Sequence, residues 1–215
     1  LINLGIHIIP NSSKTESEII EFNNDLGENL AYISEGWSYQ YGIYDISDLT
    51  NPYRLATIPV IGYAHNAWLN DAGTHLITTE ETEFMTIKVW DVQNFNNINL
   101  VGTYLGENQL AHNVHVQNDQ LIISHYTTGV KIVDIFDPEN PVEVAAYDTY
   151  PDNDAGGYYG CWGAYPYSEN GYIYAWSNDG GFTEDDIKRL GVKNLLNHNE
   201  ISCSVNGLGI RLVID

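Results

Sequence analysis

Two histidines stand in matching settings. His65 in YAHNAWL (Tyr63–Leu69) and His112 in LAHNVHV (Leu110–Val116) each follow Ala, precede Asn and open an apolar run, 47 residues apart. Imidazole titrates near neutrality and is the commonest metal ligand among side chains. If a fold brings the two rings together, they could bind a metal or an anion. The structural alternative is that each ring bonds the backbone of a neighbouring unit or an adjacent turn. A second candidate is the stretch YDTYPDNDAGGYYGCW (Tyr147–Trp162), which is longer than its counterparts elsewhere in the chain. Its candidate binding residues are Asp148, Tyr150, Asp152, Asp154, Tyr158 and Tyr159. Tyr supplies amphipathic contact area at low entropic cost, and long loops on rigid scaffolds often carry function. No nucleophile elbow, P-loop or His-Glu-x-x-His helix occurs, so no catalytic or cofactor-binding residue and no cofactor is assigned.

An internal repeat supplies the elements that must position these groups. GIYDISDLTNP (Gly42–Pro52), IKVWDVQNFNN (Ile87–Asn97) and VKIVDIFDPENP (Val130–Pro141) align on Asp45, Asp91 and Asp134, at intervals of 46 and 43 residues. Residues 74–79, 120–125 and 171–176 are short β-branched or aromatic runs between Asn, Asp and Gly. They read as strands, as do 53–60, 99–104 and 142–147. About four strands per unit of some 45 residues is the period of a propeller blade. After each repeated Asp come Asp48 and Asn51, Asn94 and Asn97, or Asp137 and Asn140. Short Asx side chains at this spacing bond nearby backbone N–H groups and shape a turn. A calcium loop is the sharper reading, but one copy carries a single carboxylate, which favours the turn. Trp68, Trp90 and Trp162 are expected to pack unit against unit, and His115 and His125 to be surface or packing residues.

The combination AHNVHV, QLIISHY, GVKIVD and DPENP resembles the LVIVD repeat, and GCWGAYPYSENGYIYA (Gly160–Ala175) resembles later blades of choice-of-anchor B proteins. The likeness covers about residues 18–176. It implies an all-β β-propeller in a bacterial or archaeal surface protein, extracellular or at the cell surface. It also implies a module that binds or scaffolds a protein or carbohydrate, with no catalytic residues to carry over. The expected architecture is an incomplete propeller of about four four-stranded blades over residues 1–176, followed by an atypical tail, 177–215, with one short helix. An alternative function is a propeller enzyme acting on a carbohydrate.

Charge and tail bound these readings. There are 8 Lys+Arg against 29 Asp+Glu, a net charge of −21. Such a surface repels phosphate backbones and anionic lipid, so nucleic acid is not an expected partner. No apolar run is long enough to span a membrane. The two cysteines, Cys161 and Cys203, are either free buried thiols or a bridge. In the tail, Thr183 and Asp186 form a capping box before an apolar helical spacing. Its NDGGF (Asn178–Phe182) and NGLGIRLVID (Asn206–Asp215) are similar to the nucleotide lid of histidine-kinase-like (GHKL) ATPases. The helix that would bear the metal-binding Asn is missing, so ATP binding is not expected and a signalling-ATPase fragment is a remote alternative.

Overall fold

The computed structural model describes residues 18–22, 29–151, 156–167, 173–177 and 209–212. These form four antiparallel sheets in sequence order. The first holds β1 (Glu18–Phe22), β2 (Leu30–Ser34), β3 (Gln40–Asp45) and β4 (Tyr53–Pro59). The second holds β5 (Ala64–Leu69), β6 (His75–Glu80), β7 (Ile87–Asp91) and β8 (Asn99–Tyr104). The third holds β9 (Asn113–Gln117), β10 (Gln120–Ser124), β11 (Val130–Asp134) and β12 (Val142–Tyr147). The fourth has three described strands, β13 (Cys161–Tyr165), β14 (Ile173–Ser177) and β15 (Gly209–Leu212). Among the described residues the only helical element is a 3-10 turn at Glu107–Gln109. None is long and apolar enough to cross a membrane. The predicted tail helix and NDGGF lie outside the described residues. Gly209–Leu212, from the second glycine segment, runs as a strand paired with β14.

The two middle sheets divide their side chains between two neighbours, as the period of two in a strand dictates. On β6, Leu76 joins a core with Tyr41, Ile43 and Ile58 of the first sheet, while Ile77 faces a core with Val114, Leu121 and Ile123 of the third. On β10 the alternation repeats: Leu121 and Ile123 face the second sheet, and Ile122 packs with Cys161, Ala164 and Ile173 of the fourth. The middle sheets are therefore buried on both faces, which explains their near-continuous apolar runs. The first strands of successive sheets are spatial neighbours: β1 lies by β5, β5 by β9, and β9 by β13. The fourth strands β4, β8 and β12 lie mostly toward solvent.

The repeated aspartates hold equivalent places, each ending the third strand of its sheet. Each accepts a hydrogen bond from the backbone N–H two residues on: Ser47 to Asp45 at 2.8 Å, Gln93 to Asp91 at 3.0 Å and Phe136 to Asp134 at 2.8 Å. Asp48, Asn94 and Asp137 do the same for Thr50, Asn96 and Glu139. These are Asx turns, and the acceptor oxygens are used by the chain itself. Two residues before each of the three aspartates the ladder between third and fourth strands slips, at Ile43/Tyr44, Val89/Trp90 and Ile132/Val133.

Trp90 and Trp68 pack between sheets as expected, with the Trp90 indole N–H donating to Thr78 Oγ1 at 2.9 Å. Trp162 also packs against the neighbouring sheet, stacking on His112, but the residue stays 47% exposed. It lies on β13 beside a register shift, where Cys161 and Ala164 are in the core and Trp162 is exposed. His125 is buried and bonded to Thr128, so it is a packing residue and not a surface one. His115 is half-buried against Trp68 and Tyr167. Cys161 carries a free thiol that burial pushes up to about 12, while Cys203 lies outside the described residues.

Candidate functional site

The site lies where the first strands of the second, third and fourth sheets begin. Short backbone bridges align those starts. Gly36, just past β2, exchanges two hydrogen bonds with Ala64, and Tyr126, just past β10, does the same with Cys161. These equivalent bridges put His65 and Trp162, each one residue on, at corresponding positions, and His112 holds that position between them. Asn66 and Thr79 tie the middle of the row: the Val114 N–H donates to Asn66 Oδ1 at 3.0 Å, and Thr79 Oγ1 donates to the His112 carbonyl at 2.5 Å. The AHN motif is thus partly an inter-sheet clamp, with the asparagine holding the next unit in register.

Gly160 makes the second bridge possible. Its φ is +85°, a left-handed conformation, and a Cβ there would lie 2.4 Å from the Tyr126 carbonyl oxygen. We expect Gly160→Ala to destabilise the fold by about 1–3 kcal/mol through strain and clash together. Urea denaturation would read this as a lower midpoint with an unchanged slope.

The rings form a continuous row. The His65 and His112 centroids are 4.3 Å apart, and His112 stacks on Trp162 at 5.4 Å. Tyr63 stacks on His65 at 6.1 Å, and Trp37 meets Tyr63 edge-on at 4.9 Å. On the other side Tyr126 touches His112, and Tyr158 touches Tyr126. Both histidines are buried, whereas Trp37, Tyr158 and Trp162 are exposed at its rim.

Glu81 completes the centre. Its Oε2 lies 3.6 Å from His65 Nδ1, and its Oε1 lies 3.8 Å from His112 Nε2. The Tyr126 hydroxyl donates to Oε1. Burial, then the Glu81 carboxylate, push that hydroxyl well above its usual range, so it stays a donor. His112 Nδ1 lies 2.5 Å from the Trp162 carbonyl oxygen. A carbonyl only accepts, so Nδ1 carries the proton and the Nε2 lone pair faces Glu81. Burial, then the nearby His65, lower His112 to about 3 against a small opposing effect of the Trp162 carbonyl. The ring is neutral at pH 7.

Of the two alternatives left open for His65 and His112, the structure shows features of both: the rings lie together, and His112 bonds the backbone of a neighbouring sheet. Glu81 and Trp162 were missed as site residues. Glu81 follows the end of β6 where Gly36 and Tyr126 stand in the neighbouring sheets, so no repeated residue type flagged it. Of the predicted binding loop, Tyr158 reaches the row through Tyr126. Tyr150 and Tyr159 stack on each other at 6.3 Å. Asp148 accepts a hydrogen bond from the Tyr150 N–H at 2.7 Å and serves as a turn residue. Asp152 and Asp154 lie outside the described residues.

No protein-family model matches the chain, and no curated protein matches it. Among solved structures it is similar to a functionally unknown protein from Desulfotomaculum acetoxidans. The TM-score is 0.55 and the sequence identity 14%, over 76% of this chain and 51% of that one. The chain thus spans about half the length of that structure. At this identity the likeness is one of fold.

Proposed function

We propose that the chain is an LVIVD-type β-propeller module of the choice-of-anchor kind, extracellular or at the cell surface, that binds a ligand on the aromatic row. Support for the architecture comes from one four-stranded sheet per sequence repeat and from first strands that neighbour one another in succession. The observation that carries the binding role is the row itself. Buried His65 and His112 and half-buried Glu81 sit beneath exposed Trp37, Tyr158 and Trp162. Flat apolar faces beside a few fixed polar groups suit a ligand with ring faces and hydroxyls, which a polysaccharide presents.

An array of bacterial surface polysaccharides and peptidoglycan fragments tests this. Binding to one class is expected, weakened tenfold or more in Trp162→Ala while the melting temperature holds. An array with no binding, or binding indifferent to Trp162, overturns the reading. The convergence of two histidines on a carboxylate also favours a second reading, a hydrolase acting on the same class of polymer. Release of new reducing ends from a bound polysaccharide would select it.

A further inference from the structure

We propose that His65, Glu81 and His112 form a binding site for a divalent transition metal, with zinc the best match, leaving a fourth position for water or ligand. The inference deepens the reading above, because the ion would sit at the base of the aromatic row. One ligand atom from each of the three residues can be chosen so that all lie within 4.8 Å of one another. Zinc holds N and O donors at about 2.0–2.2 Å, which sets tetrahedral neighbours roughly 3.3–3.6 Å apart. The 3.6 Å and 3.8 Å separations to Glu81 are close to that spacing, and side-chain rotation closes the rest. Two imidazoles and one carboxylate, with an open position, are a donor set zinc commonly takes.

The surroundings favour the same occupant. The Trp162 carbonyl takes the Nδ1 proton of His112, which fixes the tautomer that aims the Nε2 lone pair at the centre. Metal-bound histidines are typically oriented this way through their other nitrogen. The Nε2 lone pair and the Glu81 carboxylate oxygen face each other at 3.8 Å with no proton of His112 between them. A cation between two electron-rich atoms resolves that opposition. Tyr126 and His112 are held by backbone bridges and inter-sheet bonds, so the arrangement is built before any ion arrives.

The test uses the full chain, stripped with a chelator and titrated with zinc chloride by calorimetry. One equivalent should bind at micromolar affinity or tighter, with a rise in melting temperature. Cobalt in place of zinc should give the visible bands of a four-coordinate ion. Glu81→Gln, His65→Ala and His112→Ala should each weaken binding tenfold or more, while His75→Gln, at a histidine bonded to Thr74, should not. No binding to the stripped wild-type chain overturns the inference, as does undiminished zinc binding by folded His112→Ala, which would place the ion elsewhere. The wild-type cobalt spectrum keeps the test valid if a variant fails to fold; a six-coordinate spectrum counts against the site. The two readings fail separately: polysaccharide binding that survives chelation sinks only the metal's part in it, and zinc binding without any polysaccharide sinks only the ligand.

Discussion

Acidification from pH 7 to pH 5 is expected to cost the fold about 2–4 kcal/mol through His115 and His125 alone. Burial lowers both to about 4, from the ordinary 6.5. In the unfolded chain each takes up a proton as the pH falls through about 6.5. In the folded chain each stays neutral until about 4. Between those values the unfolded state binds more protons, so stability falls with falling pH, by up to about 1.4 kcal/mol per unit per histidine. His125 is the more deeply buried of the two: burial dominates and Lys131 also disfavours its charge, against a backbone hydrogen bond and Glu143. His115 is half-buried, so its share is discounted. Urea midpoints across this range check the slope. His125→Gln should flatten it, and an unchanged slope in that variant would remove His125 as a cause.

Glu80→Ala should cost about 3–5 kcal/mol. The Glu80 side chain is fully buried on β6 and pairs with Lys88. Its Oε2 also accepts the Gly62 N–H at 2.6 Å. Removing the carboxylate leaves a mostly buried ammonium without its counter-charge and an amide without its acceptor, both more costly than the pair was worth. Replacing both partners by apolar residues, Glu80→Leu with Lys88→Met, should recover much of the loss. Denaturation of Glu80→Leu, Lys88→Met and the double variant forms the cycle that reads the coupling. If Glu80→Ala melts within a degree of wild type, the pair carries no such weight.

Much of the framework was legible in the sequence because it repeats. Asp45, Asp91 and Asp134 recur at one period, and the structure gives all three the same strand end and the same turn bond. His65 and His112 repeat within AHN and meet for that reason. Residues that do not repeat stayed hidden. Glu81, Gly36 and Tyr126 share a position but no chemistry, so nothing in their types announced a site. Trp162 was read as packing unit against unit, and it does stack on His112, but its exposure at the rim follows from the irregular start of β13, which its residue type does not announce. Glu80 and Lys88 lie eight residues apart on different strands, a relation only the β6–β7 pairing creates.

The slipped ladders at Ile43/Tyr44, Val89/Trp90 and Ile132/Val133 bear on how such a chain survives at high concentration. Among the described residues each four-stranded sheet ends in an outer strand with no further strand beside it, and β12 exposes Val142 and Val144. A straight outer strand of that kind is a template for another molecule's strand, the first step toward fibrils. Each slip places its extra residue, Leu55, Val101 or Val144, on the outer strand itself, and such a bulge twists that strand away from the flat course that growth requires. With the same irregularity in all three four-stranded sheets, these rims are shaped to refuse a fifth strand, so apolar residues there can persist without seeding aggregation.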